Sequence, residues 1–255
     1  MPVQIVTIPC LEDHYAYLVR DETTGQVAVI DAPEAAPIVR ALEERGWKAD
    51  QVWITHHHAD HIDGVEELRR RYGAKVVGHE KDAHRLPSLD IAVKEGDVVE
   101  LGATRARVLD VSGHTIGHIA YIIDEVPAAF TADSLMALGC GRVFEGTHAM
   151  MWESLSKLMA LPPETEIYSG HNYGQANGRF ALSIEPDNEA LRARIRRIEE
   201  ADAKGEPIVP VTLEEELATN PFLRAREPSV KAALGLAGAD DAAVFAEIRR
   251  RKDNF

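Results

Sequence analysis

Short apolar runs alternate with polar loops through the first two thirds of the chain. Runs rich in β-branched and aromatic residues predict strands, whereas apolar residues at helical spacing that end at glycine predict helices. The alternation predicts a mixed α/β domain over residues 1–172. Its predicted strands are 3–9, 15–20, 27–32, 52–55, 75–79, 98–101, 105–111, 119–124, 128–132 and 166–170, and its predicted helices are 33–45, 63–72 and 150–160.

The pattern changes after about residue 174, where charged helical segments replace the strands. Apolar positions recur there at helical spacing, and no strand of any strength is predicted. The sequence therefore predicts a second, helical domain over residues 173–255. Its helices are expected at 188–205, 212–218, 228–236 and 240–255.

Composition narrows the class of protein. With 255 residues, of which 45% are hydrophobic and 27% charged, the chain has the proportions of a globular protein. No run approaches the roughly 20 apolar residues of a membrane span, and the N-terminal segment lacks the features of an export signal. The two cysteines, Cys10 and Cys140, form no CxxC pattern and are expected to be buried thiols. We therefore expect a soluble, cytoplasmic protein that enters no membrane.

The formal net charge of −14 restricts the partners of the protein. Nucleic-acid phosphates would be repelled by most of its surface, so nucleic acid is not an expected partner. An anionic small substrate would need a local cluster of positive charge. The chain ends in such a cluster, which runs from Arg249 to Lys252.

A polar loop between a predicted strand and a predicted helix concentrates side chains that bind metals. Residues 56–61 include four histidines and one aspartate. Imidazole nitrogens and carboxylate oxygens are ligands for zinc, iron and manganese. His114, Asp133 and His171 each follow a later predicted strand. Because loops at one edge of a sheet converge, we expect these side chains to share one site.

Four motifs give these residues a family context. They are THHHADH (55–61), SGHTIGH (112–118), FTADSL (130–135) and YSGHNY (168–173), and in this order they resemble the ligand motifs of the metallo-β-lactamase superfamily. The resemblance implies an α/β fold, a four-layer αββα sandwich, that binds two divalent metal ions. It assigns His56, His58 and His114 to one ion and Asp60, His61 and His171 to the other, with Asp133 bridging both.

Two adjacent divalent cations, held by these ligands, would promote hydrolysis in two ways. Metal binding lowers the pKa of water from 15.7 to roughly 7, which makes hydroxide available at neutral pH. A metal ion also stabilises the oxyanion that develops on a carbonyl under attack. Asp60 is expected to orient the hydroxide and Asp133 to bridge the ions, so both are catalytic candidates. Zinc is the expected metal, with iron or manganese as alternatives. The sequence contains no GxSxG motif, which would indicate a serine nucleophile in place of hydroxide.

Further segments resemble one family of the superfamily, glyoxalase II. They are IPCLEDHYAYLV (8–19), GCGRVFEGT (139–147), ATNPFLR (218–224) and RRRKDNF (249–255). The resemblance implies hydrolysis of S-(2-hydroxyacyl)glutathione thioesters by a metal-bridging hydroxide. The typical reaction converts S-D-lactoylglutathione to D-lactate and glutathione in methylglyoxal detoxification. The resemblance also implies that the helical domain helps to bind glutathione, whose predicted contacts are Arg142, Phe144, Tyr173, Arg249 and Lys252.

One substrate-binding position and several histidines need separate interpretation. Phe144 stands where the family often has tyrosine, and a phenyl ring cannot donate a phenol hydrogen bond. One contact to the substrate is therefore expected to be missing. His118 is expected to orient a metal ligand and His57 to point away from the metals. His79 and His84 are expected to be exposed.

Three other functions fit parts of the pattern. A persulfide dioxygenase of the same superfamily would use one iron held by two histidines and an aspartate, but the helical domain and its KDNF ending oppose this function. A metal-dependent nuclease is opposed by the net charge of −14. A metal-binding protein without turnover is opposed by the complete ligand set. The sequence leaves the acyl-group preference open, and we expect a monomer.

Overall fold

The computed structural model describes residues 2–255, which form two compact units. The first unit comprises the chain up to Asp110 together with Gly117–Ala132. The second unit comprises Val111–Ile116 and Asp133–Phe255. The predicted domain boundary after residue 172 stays a prediction. Among the described residues, no helix combines the length and the apolar character that crossing a membrane requires.

Strands dominate the first unit and helices dominate the second. The first unit contains β1 (Val3–Cys10), β2 (His14–Asp21), β3 (Val27–Ile30), α1 (Ala35–Glu44), β4 (Gln51–Trp53), α2 (Ala59–Ile62), α3 (Val65–Tyr72), β5 (Lys75–His79), β6 (Ile91–Val93), β7 (Val98–Leu101), β8 (Thr104–Asp110), β9 (Ile119–Ile123) and β10 (Ala128–Ala132). The second unit contains α4 (His148–Met159), β11 (Glu166–Ser169), α5 (Gly174–Ile184), α6 (Glu189–Lys204), β12 (Val211–Thr212), α7 (Leu213–Thr219), α8 (Pro228–Leu234) and α9 (Asp241–Asp253).

The strands of the first unit form a mixed sheet and an antiparallel meander. β1, β2 and β3 pair antiparallel, and β3, β4, β5 and β6 continue the same sheet in parallel. Parallel neighbours need a crossover, which α1 supplies between β3 and β4 and α3 supplies between β4 and β5. Ile38 and Leu42 of α1 and Leu68 of α3 are buried in the core of this sheet. β7, β8, β9 and β10 form the meander in sequence order.

Aromatic side chains join the mixed sheet to the meander. The rings of Trp53 on β4 and Tyr121 on β9 lie 5.2 Å apart, and the Tyr121 hydroxyl donates to the Ile54 carbonyl at 2.9 Å. The rings of Tyr17 on β2 and Phe130 on β10 lie 5.5 Å apart. These four aromatic side chains are buried, so the first unit has an apolar core between two layers of strands. The predicted α/β class is confirmed.

Helix α5 is the longest element that the sequence pattern does not predict. Its glycines lower the helix propensity of the segment. A Cβ on Gly178 would lie 2.8 Å from Cγ1 of Ile195 on α6, and a Cβ on Gly174 would lie 2.5 Å from Cδ1 of Ile208. Glycine is needed for this close packing, which outweighs the propensity. The short strands β6 and β12 are also missing from the prediction, and β12 corrects the expectation of a strand-free C-terminal region.

A buried carboxylate connects two turns of the first unit. Asp21, at the end of β2, is 1% exposed and accepts hydrogen bonds from the N–H groups of Thr24 at 3.1 Å and Ala103 at 3.0 Å. The hydroxyls of Thr24 and Thr104 also donate to this carboxylate. Burial opposes the ionisation of Asp21, but the hydrogen bonds outweigh burial and lower the pKa to about 2.

We predict that Asp21→Asn lowers the free energy of unfolding by about 2 kcal/mol at neutral pH. Because the folded-state pKa of about 2 lies below the unfolded-state value, the ionised carboxyl stabilises the fold above the unfolded pKa. This stabilisation is lost as the pH falls through the folded pKa. Urea unfolding of the metal-free wild type and variant, from about pH 7 to about pH 3, measures the effect.

Asp124 provides a control for this measurement, because its ion pair with Arg107 is largely exposed. Asp124→Asn should lower the free energy of unfolding by less than about 1 kcal/mol. The stability difference between the wild type and the Asp21 variant should narrow on acidification. A difference that stays constant down to about pH 3 would contradict the role of the Asp21 carboxylate.

Candidate metal centre

The histidine-rich loop follows β4 and is fixed to the loop between β3 and α1. The N–H of Ala32 donates to the His61 carbonyl at 2.8 Å, and the N–H of Gly64 donates to the Ala32 carbonyl at 2.8 Å. A side chain at Gly64 would collide with the neighbouring loop, because its Cβ would lie 2.8 Å from the Ala35 nitrogen. The close backbone approach therefore requires glycine, and it holds the short helix α2 that begins at Ala59.

Asp31 organises two imidazole rings of this loop. Its carboxylate accepts from the Thr55 N–H at 2.8 Å and the Thr55 hydroxyl at 2.7 Å, and it lies 2.7 Å from His61 Nδ1. A carboxylate only accepts, so the neutral ring of His61 carries its proton on Nδ1 and presents Nε2 as a ligand. The Thr55 hydroxyl oxygen lies 3.1 Å from His56 Nδ1 and accepts a hydrogen bond from it, so His56 also presents Nε2 as a ligand. Asp31, His56 and His61 each offer an atom within 4.8 Å of the others.

The other predicted ligands of the loop continue this arrangement. His58 Nδ1 lies 3.0 Å from His56 Nε2, which brings two ring nitrogens together. Asp60 Oδ2 lies 2.8 Å from Nε2 of His14, a residue that the sequence analysis did not assign to the site. We call these four predicted ligands of the first unit the loop donors: His56, His58, Asp60 and His61.

Two further histidines, His57 and His118, lie close to the loop donors. The ring of His118 stacks on that of His56, with centroids 4.6 Å apart and planes at 12°. The role of His118 in orienting a metal ligand stays a prediction. His57 is partly buried, and its Nδ1 lies 3.5 Å from the carboxylate of Asp82.

A second donor group centres on Asp133. Its carboxylate is 5% exposed, and Oδ2 lies 3.4 Å from Nε2 of His114 and 3.2 Å from Nε2 of His171. His114 Nδ1 lies 2.7 Å from the Arg142 carbonyl, which only accepts, so Nδ1 carries the proton and Nε2 faces Asp133. Gly141 permits this contact, because a Cβ there would lie 2.7 Å from His114 Nδ1. We call His114, Asp133 and His171 the Asp133 donors.

The side chains of the two donor groups fit divalent ions of the zinc, iron and manganese class. They combine imidazole nitrogen with carboxylate oxygen, the mixture that these ions bind. A carboxylate as deeply buried as that of Asp133 also needs a compensating positive charge. Metal-binding histidines usually donate their other ring N–H to a carboxylate or carbonyl, as His61 and His114 do.

Residues predicted to bind substrate lie around the carboxylate of Asp253 in the second unit. Arg249 is buried and donates to this carboxylate at 3.0 Å and to the Cys140 carbonyl at 3.0 Å. The Arg142 guanidinium lies 3.4 Å from the same carboxylate and is largely exposed. The buried guanidinium of Arg249 therefore fixes the segment that carries Arg142.

Lys252 belongs to the same cluster of positive charge. Its ammonium group donates to the Ala176 carbonyl at 3.2 Å. Burial lowers the pKa of Lys252, and the nearby guanidinium groups of Arg249, Arg179 and Arg142 lower it further. An anionic ligand would relieve this repulsion between like charges.

Two predicted substrate-binding side chains are exposed aromatic rings beside predicted metal ligands. The ring of Tyr173 stacks on that of His171, with centroids 4.6 Å apart and planes at 14°. The ring of Phe144 lies 5.3 Å from that of His114. Their exposure leaves both rings accessible to a ligand.

Two cysteines and two histidines lie outside the two donor groups, and three of these four side chains are buried. Cys10 and Cys140 are buried as expected, and burial raises the pKa of their thiols to about 12 and about 11. Neither is a nucleophile at neutral pH. His84 is exposed as expected, but the expected exposure of His79 is wrong. His79 is the last residue of the buried strand β5, and burial lowers its pKa.

Asp31 lies beside a predicted metal ligand and Arg179 beside a predicted substrate-binding residue, but no sequence pattern assigns either to the site. Asp31 directly follows the fully buried strand β3, so its place at a strand end was an available signal. Arg179 lies on α5, and the glycines of this segment conceal the helix that positions it. No motif of the sequence marks Arg179.

Comparisons with known proteins agree along the whole chain. A model of the metallo-β-lactamase superfamily matches residues 11–171, and a model of the hydroxyacylglutathione hydrolase C-terminus matches residues 172–255. A hydroxyacylglutathione hydrolase of Ruegeria pomeroyi is 60% identical over 255 residues, which cover 100% of both chains.

Two solved structures extend the comparison to the fold. ETHE1 from Myxococcus xanthus is 28% identical, with a TM-score of 0.67 and coverage of 99% of this chain and 98% of that one. The protein TTHA1623, solved in a di-iron-bound form, is 26% identical, with a TM-score of 0.57 and coverage of 67% of this chain and 92% of that one.

We predict that Asp31→Asn weakens zinc binding about 10- to 100-fold. Oδ1 of Asp31 accepts from the Thr55 N–H, and Oδ2 accepts from the Thr55 hydroxyl and His61 Nδ1, so an amide would turn its NH₂ group towards the donors of one side. Competition with a chromophoric chelator measures the affinity. Asp50→Asn is the matched control, because Asp50 accepts from the Val27 N–H at 2.9 Å, away from the loop donors. Equal zinc affinities of the two variants would contradict the role of Asp31.

Proposed function

The chain belongs to the hydroxyacylglutathione hydrolase family of the metallo-β-lactamase superfamily, and on that premise we propose that it hydrolyses S-(2-hydroxyacyl)glutathione thioesters. S-D-Lactoylglutathione would give D-lactate and glutathione, a step of methylglyoxal detoxification in the cytoplasm. The observation that carries the proposal is the 60% identity, over the full length of both chains, to a relative named for this activity.

The proposed metal ligands are the loop donors and the Asp133 donors. The family assignment gives His56, His58 and His114 to one divalent ion, Asp60, His61 and His171 to the other, and Asp133 to both. The clustering of donors within each unit supports this assignment. Zinc is the first choice, and the di-iron form of TTHA1623 supports iron as an alternative to zinc or manganese. When bound, two such ions would lower the pKa of water and polarise the thioester carbonyl.

Asp60 and Asp133 are the proposed catalytic residues. Asp60 would orient the attacking hydroxide by accepting a hydrogen bond, and His14 at 2.8 Å holds its carboxylate in place. Asp133 would balance positive charge at the centre from its buried position. Addition of the hydroxide oxygen to the thioester carbon would give a tetrahedral intermediate, whose collapse breaks the carbon–sulfur bond and releases glutathione as a thiolate. The thiolate then takes up the proton of the new carboxyl group. Because the pKa of a thiol is near 8.5, this leaving group needs little help from a general acid.

The cluster of positive charge explains how an acidic protein could bind an anionic tripeptide. A net charge of −14 repels glutathione carboxylates at long range, but salt screens this repulsion beyond about 8 Å. We assign recognition of a carboxylate to Arg142, Arg249 and Lys252, supported by the lowered pKa of Lys252. Tyr173 and Phe144 would line the tripeptide. We propose that a single chain is sufficient for this activity.

The direct test is steady-state hydrolysis of S-D-lactoylglutathione by zinc-loaded protein, followed at the thioester absorbance. We expect kcat/KM on the order of 10⁴ M⁻¹s⁻¹ or higher. Hydrolysis no faster than that of the metal-free protein would refute the proposal. Oxygen consumption with glutathione persulfide by the iron-loaded protein, in place of hydrolysis, would favour the persulfide dioxygenase alternative.

We predict that Phe144→Tyr lowers KM for S-D-lactoylglutathione about two- to tenfold and leaves kcat unchanged. Phe144 is exposed beside His114, so an added hydroxyl has room to donate one hydrogen bond to the tripeptide. A hydrogen bond of this kind contributes about 0.5–1.5 kcal/mol. A simple alkyl thioester without the tripeptide is the control substrate, and its kinetics should not change. An unchanged KM for S-D-lactoylglutathione would exclude Phe144 from the substrate contacts.

A further inference from the structure

A tight turn connects Asp133 to the segment that carries Arg142. The N–H of Met136 donates to the Gly139 carbonyl at 3.0 Å, and the N–H of Gly139 donates to the Met136 carbonyl at 2.9 Å. Leu138 has a φ of 58°, in the left-handed region that residues with a Cβ avoid. We call residues 136–139 the Leu138 turn. Such a backbone conformation persists where the surrounding structure holds it in place.

Helix α7 and the residue that follows it supply groups that hold this turn. Glu216 is fully buried, and its Oε2 accepts from the N–H of Leu138 at 3.2 Å. Asn220 Nδ2 donates to the same Oε2 at 2.9 Å, to the Gly139 carbonyl at 3.0 Å and to the Met136 carbonyl at 3.3 Å. These two side chains therefore contact both ends of the turn and its strained centre.

Helix α5 holds the same turn from another side. Asn177 Nδ2 donates to the Ala137 carbonyl at 3.0 Å, and Asn177 is buried. A Cβ on Gly139 would collide with the Asn177 amide, so the close approach requires glycine there. The side chain of Leu138 packs into a core cluster with Leu191 of α6. Polar and apolar contacts thus fix one conformation of the turn.

The charge of Glu216 is compensated where it lies. Its Oε1 accepts from the buried guanidinium of Arg194, which also donates to the Thr219 hydroxyl at 2.7 Å. A buried ion pair is often no more stabilising than apolar packing of the same volume. We therefore explain the buried Glu216 carboxylate by its hydrogen bond to the Leu138 turn, and not by the stability of the ion pair.

We propose that Glu216 and Asn220 are positioning residues for the Asp133 donors. The Gly141 N–H donates to the Asp133 carbonyl at 2.8 Å, so the two ends of the segment meet beyond the Leu138 turn. The carbonyl of Arg142, the residue after Gly141, orients His114 by accepting from Nδ1. A shift of the turn would therefore move a metal ligand and a substrate-binding residue together. The inference rests on the proposed function for the roles of Asp133 and Arg142.

Hydrogen–deuterium exchange of the metal-free, full-length chain tests the turn directly. In Asn220→Ala the turn loses two carbonyl contacts and the Glu216 carboxylate loses one donor. The N–H groups of Leu138, Gly139 and Gly141 should then exchange at least about tenfold faster. Asn188→Ala is the control, because Asn188 caps α6 through Oδ1 and its Nδ2 donates to the Ala218 carbonyl at 3.0 Å, so these hydrogen bonds lie outside the Leu138 turn. Exchange at these three N–H groups should be unchanged in the control.

Zinc affinity measured by chelator competition provides the second readout. Asn220→Ala should bind zinc at least about tenfold more weakly than the wild type, whereas Asn188→Ala should bind as the wild type does. Neither readout requires turnover. A wild type that binds zinc but does not hydrolyse the glutathione thioester would therefore refute the proposed function and leave the positioning test valid.

Asn177→Ala replaces Asn220→Ala if the latter does not fold. It removes the single contact to Ala137, so about threefold effects on exchange and zinc affinity are expected. Positioning is refuted if the folded variant keeps wild-type exchange in the turn or wild-type zinc affinity. It is also refuted if Asn188→Ala changes both readouts to the same extent as Asn220→Ala.

Discussion

The proposed metal centre depends on hydrogen-bond acceptors at Nδ1 of three predicted ligands, His56, His61 and His114. An imidazole ring can rotate and exchange its tautomer, so it becomes a defined ligand when a second group fixes both. Asp31 does this directly for His61 and, through a hydroxyl, for His56. The Arg142 carbonyl does it for His114. Each acceptor must be held at a fixed place beside its imidazole ring, and the fold of the backbone holds it there.

The elements around the two donor groups are arranged to fix those acceptors. Strand β3 ends directly before Asp31, inside a core that keeps its carboxylate dry. Gly64 and Gly141 let backbone segments approach where a side chain would collide. In the second unit, Glu216 and Asn220 hold the turn between Asp133 and the acceptor of His114. The helical part of the chain thereby supports the proposed chemistry as well as the proposed binding of glutathione.

Fold class and candidate ligands could be predicted because both depend on local sequence. Apolar runs that follow a strand pattern correspond to β1 to β5, and the family models and the relative from Ruegeria pomeroyi confirm the family resemblance.

Features that depend on distant neighbours could not be predicted. The segment of α5 does not resemble a helix in sequence, because its glycines, including Gly178 at the contact with Ile195, lower its helix propensity. His79 lies beside charged residues in sequence but inside the core in space. Asp31 has no partner nearby in sequence, since its partners lie 24 and 30 positions away. The division of seven ligands between two ions stays a prediction.

If the proposed metal centre is correct, each chain binds two divalent ions and both depend on the carboxylate of Asp133. The most direct measurement is the metal content of zinc-saturated wild type and Asp133→Ala after gel filtration, with circular dichroism to verify the fold. We expect two zinc ions per wild-type chain and less than one per folded Asp133→Ala chain. Two zinc ions in the folded variant, or at most one in the wild type, would contradict the proposed metal centre.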